Sequence, residues 1–197
     1  MKAILMSIHP VWCEKIFSGT KTIEVRKSRP KLETPFEVVV YCSKGQELWG
    51  NGEQLWKGID ENEDLETVFT LEPNLSRLNG KVIGSFICDE VKEFTFSNYE
   101  AEYRINHADL SATCLNYPDL IGYGKGKTLY GWHITEPRLF DEPKELSEFR
   151  KPFDCEAGRN MGCWLDYCKN HNFDCVRRVN KPLTRPPQSW CYVEVEK

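Results

Sequence analysis

"SGTKTIEVR", residues 18–26, sets Lys21, Glu24 and Arg26 around the β-branched, apolar Ile23 and Val25. Before it, "HPVWCEKIFSG" (9–19) reads as a short helix. Pro10 sits in its first turn, Trp12, Ile16 and Phe17 supply an apolar face, and Gly19 is placed to stop it in a left-handed conformation. The strand that follows is "KTIEVRK" (21–27). Residues two apart on a strand share a face, so Ile23 and Val25 point to the core while Thr22, Glu24 and Arg26 share the other side. Lys21 is out of phase with Glu24. It joins that face if it lies on the turn after Gly19, or if a bulge rotates it. The pattern therefore demands a bend at its start.

Outward from this stretch, "KAILMSI" (2–8) reads as a first strand and "FEVVVYCS" (36–43), apolar on both faces, as a central one. Further strands are expected at 80–94 ("GKVIGSFICDEVKEF"), 128–140 ("TLYGWHITEPRLF") and 188–196 ("QSWCYVEVE"). Helical turns are expected at "SNYEAEYRI" (97–105), where Ser97 is a plausible cap, and at "EPKELSEFR" (142–150). Regular βαβ alternation is absent, which argues against a doubly wound parallel sheet. Six strands and three short helices fit an α+β class, a small mixed β-barrel with peripheral helices.

The 197 residues suit a single domain spanning 1–197, with an acidic excursion at 45–79 and a Cys-rich segment at 155–175. A net charge of −4 argues against indiscriminate nucleic-acid binding. Its distribution is uneven, however. Residues 1–45 carry eight Lys/Arg against four Asp/Glu, and 46–74 carry one against eight. Residues 151–197 are basic again, eight against six, so a positive surface forms if the two ends meet. No stretch is apolar enough to span a membrane and "MKAILMSIHP" is not a signal peptide, so a cytoplasmic chain with reduced thiols and no membrane partner is expected.

Cys155, Cys163, Cys168 and Cys175 offer four thiolates for a structural zinc, without any Cys-x-x-Cys knuckle. Buried free cysteines explain them equally well. Otherwise no cofactor is indicated. Trp12, Tyr130, Trp132 and Trp190 are candidate stacking platforms for nucleobases, with ordinary packing as the competing role; Trp132 is taken as a binding candidate. The run "VRRVNKPLTRPPQSW" places Arg185 just before the last strand, where it can meet a phosphate backbone. No Ser/His/Asp or Cys/His pairing is evident.

Two cations and a carboxylate on one face can bind phosphate or carboxylate, hydrogen-bond a base, or move a proton. An ordinary ion pair between Glu24 and Arg26 is the plainer alternative from spacing alone. The whole stretch "SIHPVWCEKIFSGTKTIEVRKSRPK" resembles the signature of the ASCH family of the PUA-like superfamily: strand, short helix, then Gly-x-Lys-x-x-Glu-x-Arg. Gly19, Lys21, Glu24 and Arg26 occupy all four positions. "LYGWHITEPRLFDEPKELSEF" and "RPPQSWCYVE" are similar to segments of ASCH proteins from phages and prophages of Gram-positive bacteria.

The resemblance implies a PUA-like barrel with a cleft beside the motif that binds RNA or another nucleic acid through Lys21, Glu24 and Arg26. It also leaves open a hydrolase on a modified nucleoside or RNA, of amidohydrolase or ribonuclease type, with Lys21 and Glu24 catalytic. The branch that deacetylates N4-acetylcytidine has a threonine where this chain has Glu24, a departure from that pattern. A protein-interaction factor in a transcription-related complex is the third reading.

Overall fold

The computed structural model describes residues 2–44, 78–99, 101–151 and 182–195. Eight strands are present among these residues: β1 (Lys2–Ile8), β2 (Ile23–Arg26), β3 (Phe36–Cys42), β4 (Val82–Phe94), β5 (Phe96–Ser97), β6 (Glu102–Tyr103), β7 (Leu129–Lys144) and β8 (Trp190–Glu194). Among the described residues three α-helices accompany them: α1 (Pro10–Phe17), α2 (His107–Thr113) and α3 (Tyr117–Gly124). A 3-10 turn covers Leu146–Glu148.

Six strands form one sheet in the order β2-β7-β4-β3-β1-β8, and β5 and β6 pair separately. β1 and β3 run parallel, and every other pair is antiparallel. β3 lies inside the sheet between β1 and β4, as its two apolar faces require. The chain's two ends do meet, since β8 pairs with β1 from Lys2↔Glu194 to Met6↔Trp190.

The sheet is not closed into a barrel, contrary to the expectation from sequence. β2 and β8 are its edges and share no ladder. Curvature comes instead from the two longest strands, β4 and β7. Their register shifts between Val82/Gly84, Ser85/Ile87 and Cys88/Val91, and each irregularity bends and twists the pair. The bending brings the two edges within side-chain reach. Trp190 Nε1 donates to Ser28 Oγ at 3.1 Å, and the Lys31 N–H donates to Tyr192 Oη at 2.8 Å. The seam is stitched by side chains, where a barrel would use backbone.

One apolar cluster beneath α1 joins Ile4, Met6, Ile8, Cys13, Ile16, Val38, Val40, Phe86 and Trp132. A second, formed by Ile23, Val25, Phe94, Tyr103, Leu120 and Leu129, seats α2 and α3 against β2. Gly124 allows that seating, because a Cβ there would meet Tyr103 Oη at 1.6 Å.

Two helix expectations need correction. Within 97–105, Ser97 closes β5 and Glu102–Tyr103 form β6, with Phe96 opposite Tyr103 and Ala101 at φ 56°. Residues 142–144 extend β7, leaving only the 3-10 turn beyond. The acidic excursion at 45–79 lies outside the described residues except for its last two, and the Cys-rich segment at 155–175 lies wholly outside them.

Candidate functional site

The site begins where α1 ends. Gly19 takes φ 78°, and the chain turns so that the Lys21 N–H donates to Lys15 O at 2.8 Å. Lys21 thus lies on the turn before β2, and its side chain reaches the face carrying Glu24 and Arg26. Its Nζ donates to Thr113 O at 2.5 Å, lies 3.4 Å from Glu24 Oε2, and stands 4.9 Å from the centre of the Trp12 ring. Glu24 Oε1 receives Arg26 Nη2 at 2.9 Å. The same Nη2 donates to Ser7 O at 2.8 Å, and Nη1 reaches Ser189 Oγ at 3.4 Å. One carboxylate therefore bridges two cations, and the arginine ties β2 to β1 and to the start of β8.

All three side chains are enclosed: Lys21 is 2 % exposed, Glu24 7 % and Arg26 8 %. They are not sealed beneath unrelated atoms. All three line a cavity of about 660 Å³, a volume within the range of small-molecule sites. Ser7, His9 and Trp12 border it on one side; Leu115, Pro118, Asp119, Gly122 and Tyr123 border it on the other.

The second wall is built by Leu115 and α3, with α2 leading into it. Asn106 caps α2 by accepting from the Asp109 N–H at 2.8 Å. Asn116 and Asp119 form a capping box on α3, with Pro118 in its first turn. The wall is moored to the motif turn: Lys21 holds Thr113 O, the Thr22 N–H holds Ala112 O at 3.0 Å, and Cys114 Sγ donates to Thr20 O at 3.5 Å. Lys21 consequently does two jobs, lining the floor and anchoring the wall.

Tyr123 stands at the mouth with Lys27 Nζ 4.5 Å from its ring centre. Burial raises the Tyr123 phenol's pKa; Arg26 lowers it and Glu24 raises it, both to lesser degrees. In the adjoining core, burial raises the Cys13 thiol well above the ordinary range, and its neighbour Cys42 pushes the same way. Cys13 is a packing residue rather than a nucleophile.

Of the residues singled out from sequence, Lys21, Glu24 and Arg26 are brought together. Trp132 is not available for stacking, because it is 0 % exposed and wedged between Phe36 and Trp190, at ring separations of 5.5 and 5.8 Å. The β2–β7 register sets it opposite Glu24, on the same face of the sheet as the motif, but there it is covered by the packed cluster beneath α1. Arg185 is exposed and does not line the cavity. Cys155, Cys163, Cys168 and Cys175 lie outside the described residues. Among the described residues no group of three or more His, Cys, Asp or Glu could hold a metal ion. Nor is any helix there long and apolar enough to cross a membrane.

Sequence reading missed the second wall. Its signals were the paired Asn caps at 106 and 116, each followed three residues later by an aspartate.

The family model for the ASCH domain matches residues 6–144, which contain the motif turn, the floor and both walls. The chain belongs to the ASCH domain family. Among solved structures this ASCH chain is similar to ASCH from Zymomonas mobilis, at 15 % identity and a TM-score of 0.49 over 98 % of this chain and 87 % of that one. A mutant of the Zymomonas mobilis protein with phenylalanine in place of a tyrosine is similar at 14 % identity and a TM-score of 0.46, covering 98 % of this chain and 91 % of that chain. A second mutant of it, with alanine in place of a serine, is similar at 14 % identity and a TM-score of 0.48, covering 98 % and 88 %. No curated protein matches the chain.

Proposed function

We propose that this ASCH domain binds RNA, taking a single unstacked nucleotide or modified nucleoside into the cavity floored by Lys21, Glu24 and Arg26. The observation that carries this reading is the convergence of those three charged side chains at the base of an open hollow flanked by Trp12 and Tyr123. An unstacked base presents an apolar face and a hydrogen-bonding edge. Trp12 and Tyr123 suit the face. The Glu24 carboxylate accepts from an amino group, while the cations donate to ring nitrogens or carbonyls. The similarity of its downstream segments to phage and prophage ASCH proteins supports a cytoplasmic setting in such a genome.

Binding is favoured over hydrolysis by the way Lys21 is engaged. A lysine base or nucleophile needs a free lone pair aimed at the substrate. Here Nζ is already directed at Thr113 O and Glu24. Incubation with N4-acetylcytidine or mixed RNA is therefore expected to yield no product that depends on Lys21.

The direct test is affinity for short single-stranded RNA across a range of salt. Binding should weaken steeply as salt rises and drop at least about tenfold on Lys21→Ala, with circular dichroism confirming the fold. An affinity no greater than that of an unrelated acidic protein would end this reading.

A further inference from the structure

The cavity's own charges balance. Lys21 and Arg26 face Glu24 and Asp119, with His9 counted as neutral. The floor cations are also engaged by Glu24 and by the carbonyls of Thr113 and Ser7. A balanced pocket suits an uncharged heterocycle and offers a phosphate little net attraction, so the charge of a nucleic-acid strand has to be met outside it.

Such a surface adjoins the mouth. Directly after β2 the chain reads "KSRPK" (27–31), and Lys27, Arg29 and Lys31 are all exposed. Lys27 Nζ rests over Tyr123, whose ring is part of the cavity wall, which places the first cation at the lip. Arg29 makes a loose contact with Glu93 at 3.8 Å, both side chains being more than half exposed. Between the cations the loop is pinned. Ser28 Oγ accepts from Trp190, the Lys31 N–H donates to Tyr192, and Pro30 is buried. Three alternate cations are therefore displayed on a tethered backbone that starts at the cavity and crosses the β2–β8 seam.

We infer that Lys27, Arg29 and Lys31 form a phosphate track that carries the RNA backbone to the cavity mouth while the base enters. This rests on the RNA reading of the cavity and adds to it a separate contact surface with no role in base selection. On a single strand each neutralised phosphate contributes about 0.7 to the slope of log affinity against log salt. Three contacts predict a slope lower by about 2.

The test compares the full chain with the variant Lys27→Gln/Arg29→Gln/Lys31→Gln, using a short mixed-sequence single-stranded RNA titrated from low to physiological salt. A second arm uses the four common ribonucleosides, followed by ligand-observed NMR. The triple variant should lose about 2 from the slope and bind RNA at least about tenfold more weakly near roughly 0.1 M salt. Its nucleoside binding and melting temperature should match the parent, and Lys27→Arg/Lys31→Arg should restore the slope. A parent that binds RNA alongside a triple variant of unchanged slope overturns the track and leaves the cavity reading standing. Equal losses for RNA and nucleosides also overturn it. A parent that binds neither probe removes both proposals, and loss on the triple variant but not on Lys21→Ala removes the cavity reading alone.

Discussion

Two ionic clusters, one at the start of β2 and one between β7 and β4, are built in opposite ways. Lys21, Glu24 and Arg26 are enclosed, and their contacts reach α2, β1 and the start of β8. One register step away, His133 opposes Ile23 and pairs with Asp89 at 2.7 Å, with side chains 35 % and 43 % exposed. Water competes for the second pair and screens it, so its net worth is small. The first is largely withdrawn from water, and each member depends on the others to offset its desolvation. A well-packed apolar trio would hold the seam with less strain on stability. Buried charge facing an open cavity, where an apolar trio would serve stability better, is what makes β2 the strand on which the proposed binding site is placed.

The contrast can be broken most severely at its hub. Glu24→Ala leaves two enclosed cations facing one another and should cost about 3–5 kcal/mol, read as a lowered denaturant midpoint at unchanged m-value. A loss below about 1 kcal/mol would mean the network is not what holds this corner together.

Lys21→Met comes next. It keeps a flexible stem against Trp12 but strips the partner from Thr113 O and from one Glu24 oxygen, a loss of about 1–3 kcal/mol. Because Lys21 moors the helical wall, amide exchange at Thr22 should accelerate beyond what global destabilisation explains. Unchanged local exchange would reduce Lys21 to a lining residue.

Asn116→Ala touches the wall alone. Loss of the capping box should cost about 1 kcal/mol and weaken RNA binding, while the Lys21–Glu24–Arg26 bridge stays intact. A full loss of that bridge, visible as a stability drop as large as that of Glu24→Ala, would show that floor and wall form one unit.

His133→Ala is the control and should cost about 0–1 kcal/mol, with RNA affinity preserved. A larger effect would place His133–Asp89 in the working surface.

Most of the sheet was legible because strand periodicity is local. Apolar runs at 2–8, 36–43 and 80–94 can be satisfied only by burial on one or both faces, whatever the rest of the chain does. The motif turn was legible for the same reason, since Gly19 and the phase of Lys21 against Glu24 are properties of eight consecutive residues. The false helix at 97–105 shows the limit. Ser97 resembles a cap, but pairing Phe96 with Tyr103 buries more than a short polar helix would. The true helices at 107–113 and 117–124 were marked by their asparagine caps, and the second, as long as α1, also by a proline in its first turn.

The order of residues by itself determined the β-rich class, the bend after α1 and the identity of the charged trio, since each follows from near-neighbour sterics and alternation. Tertiary structure alone decided that the sheet stays open, that Trp132 disappears into the core, and that Arg26 spans the seam to Ser7 and Ser189. Those outcomes depend on strand order, register and bulges. They bring together groups as much as 163 positions apart, and no local pattern encodes which distant surface a side chain will meet.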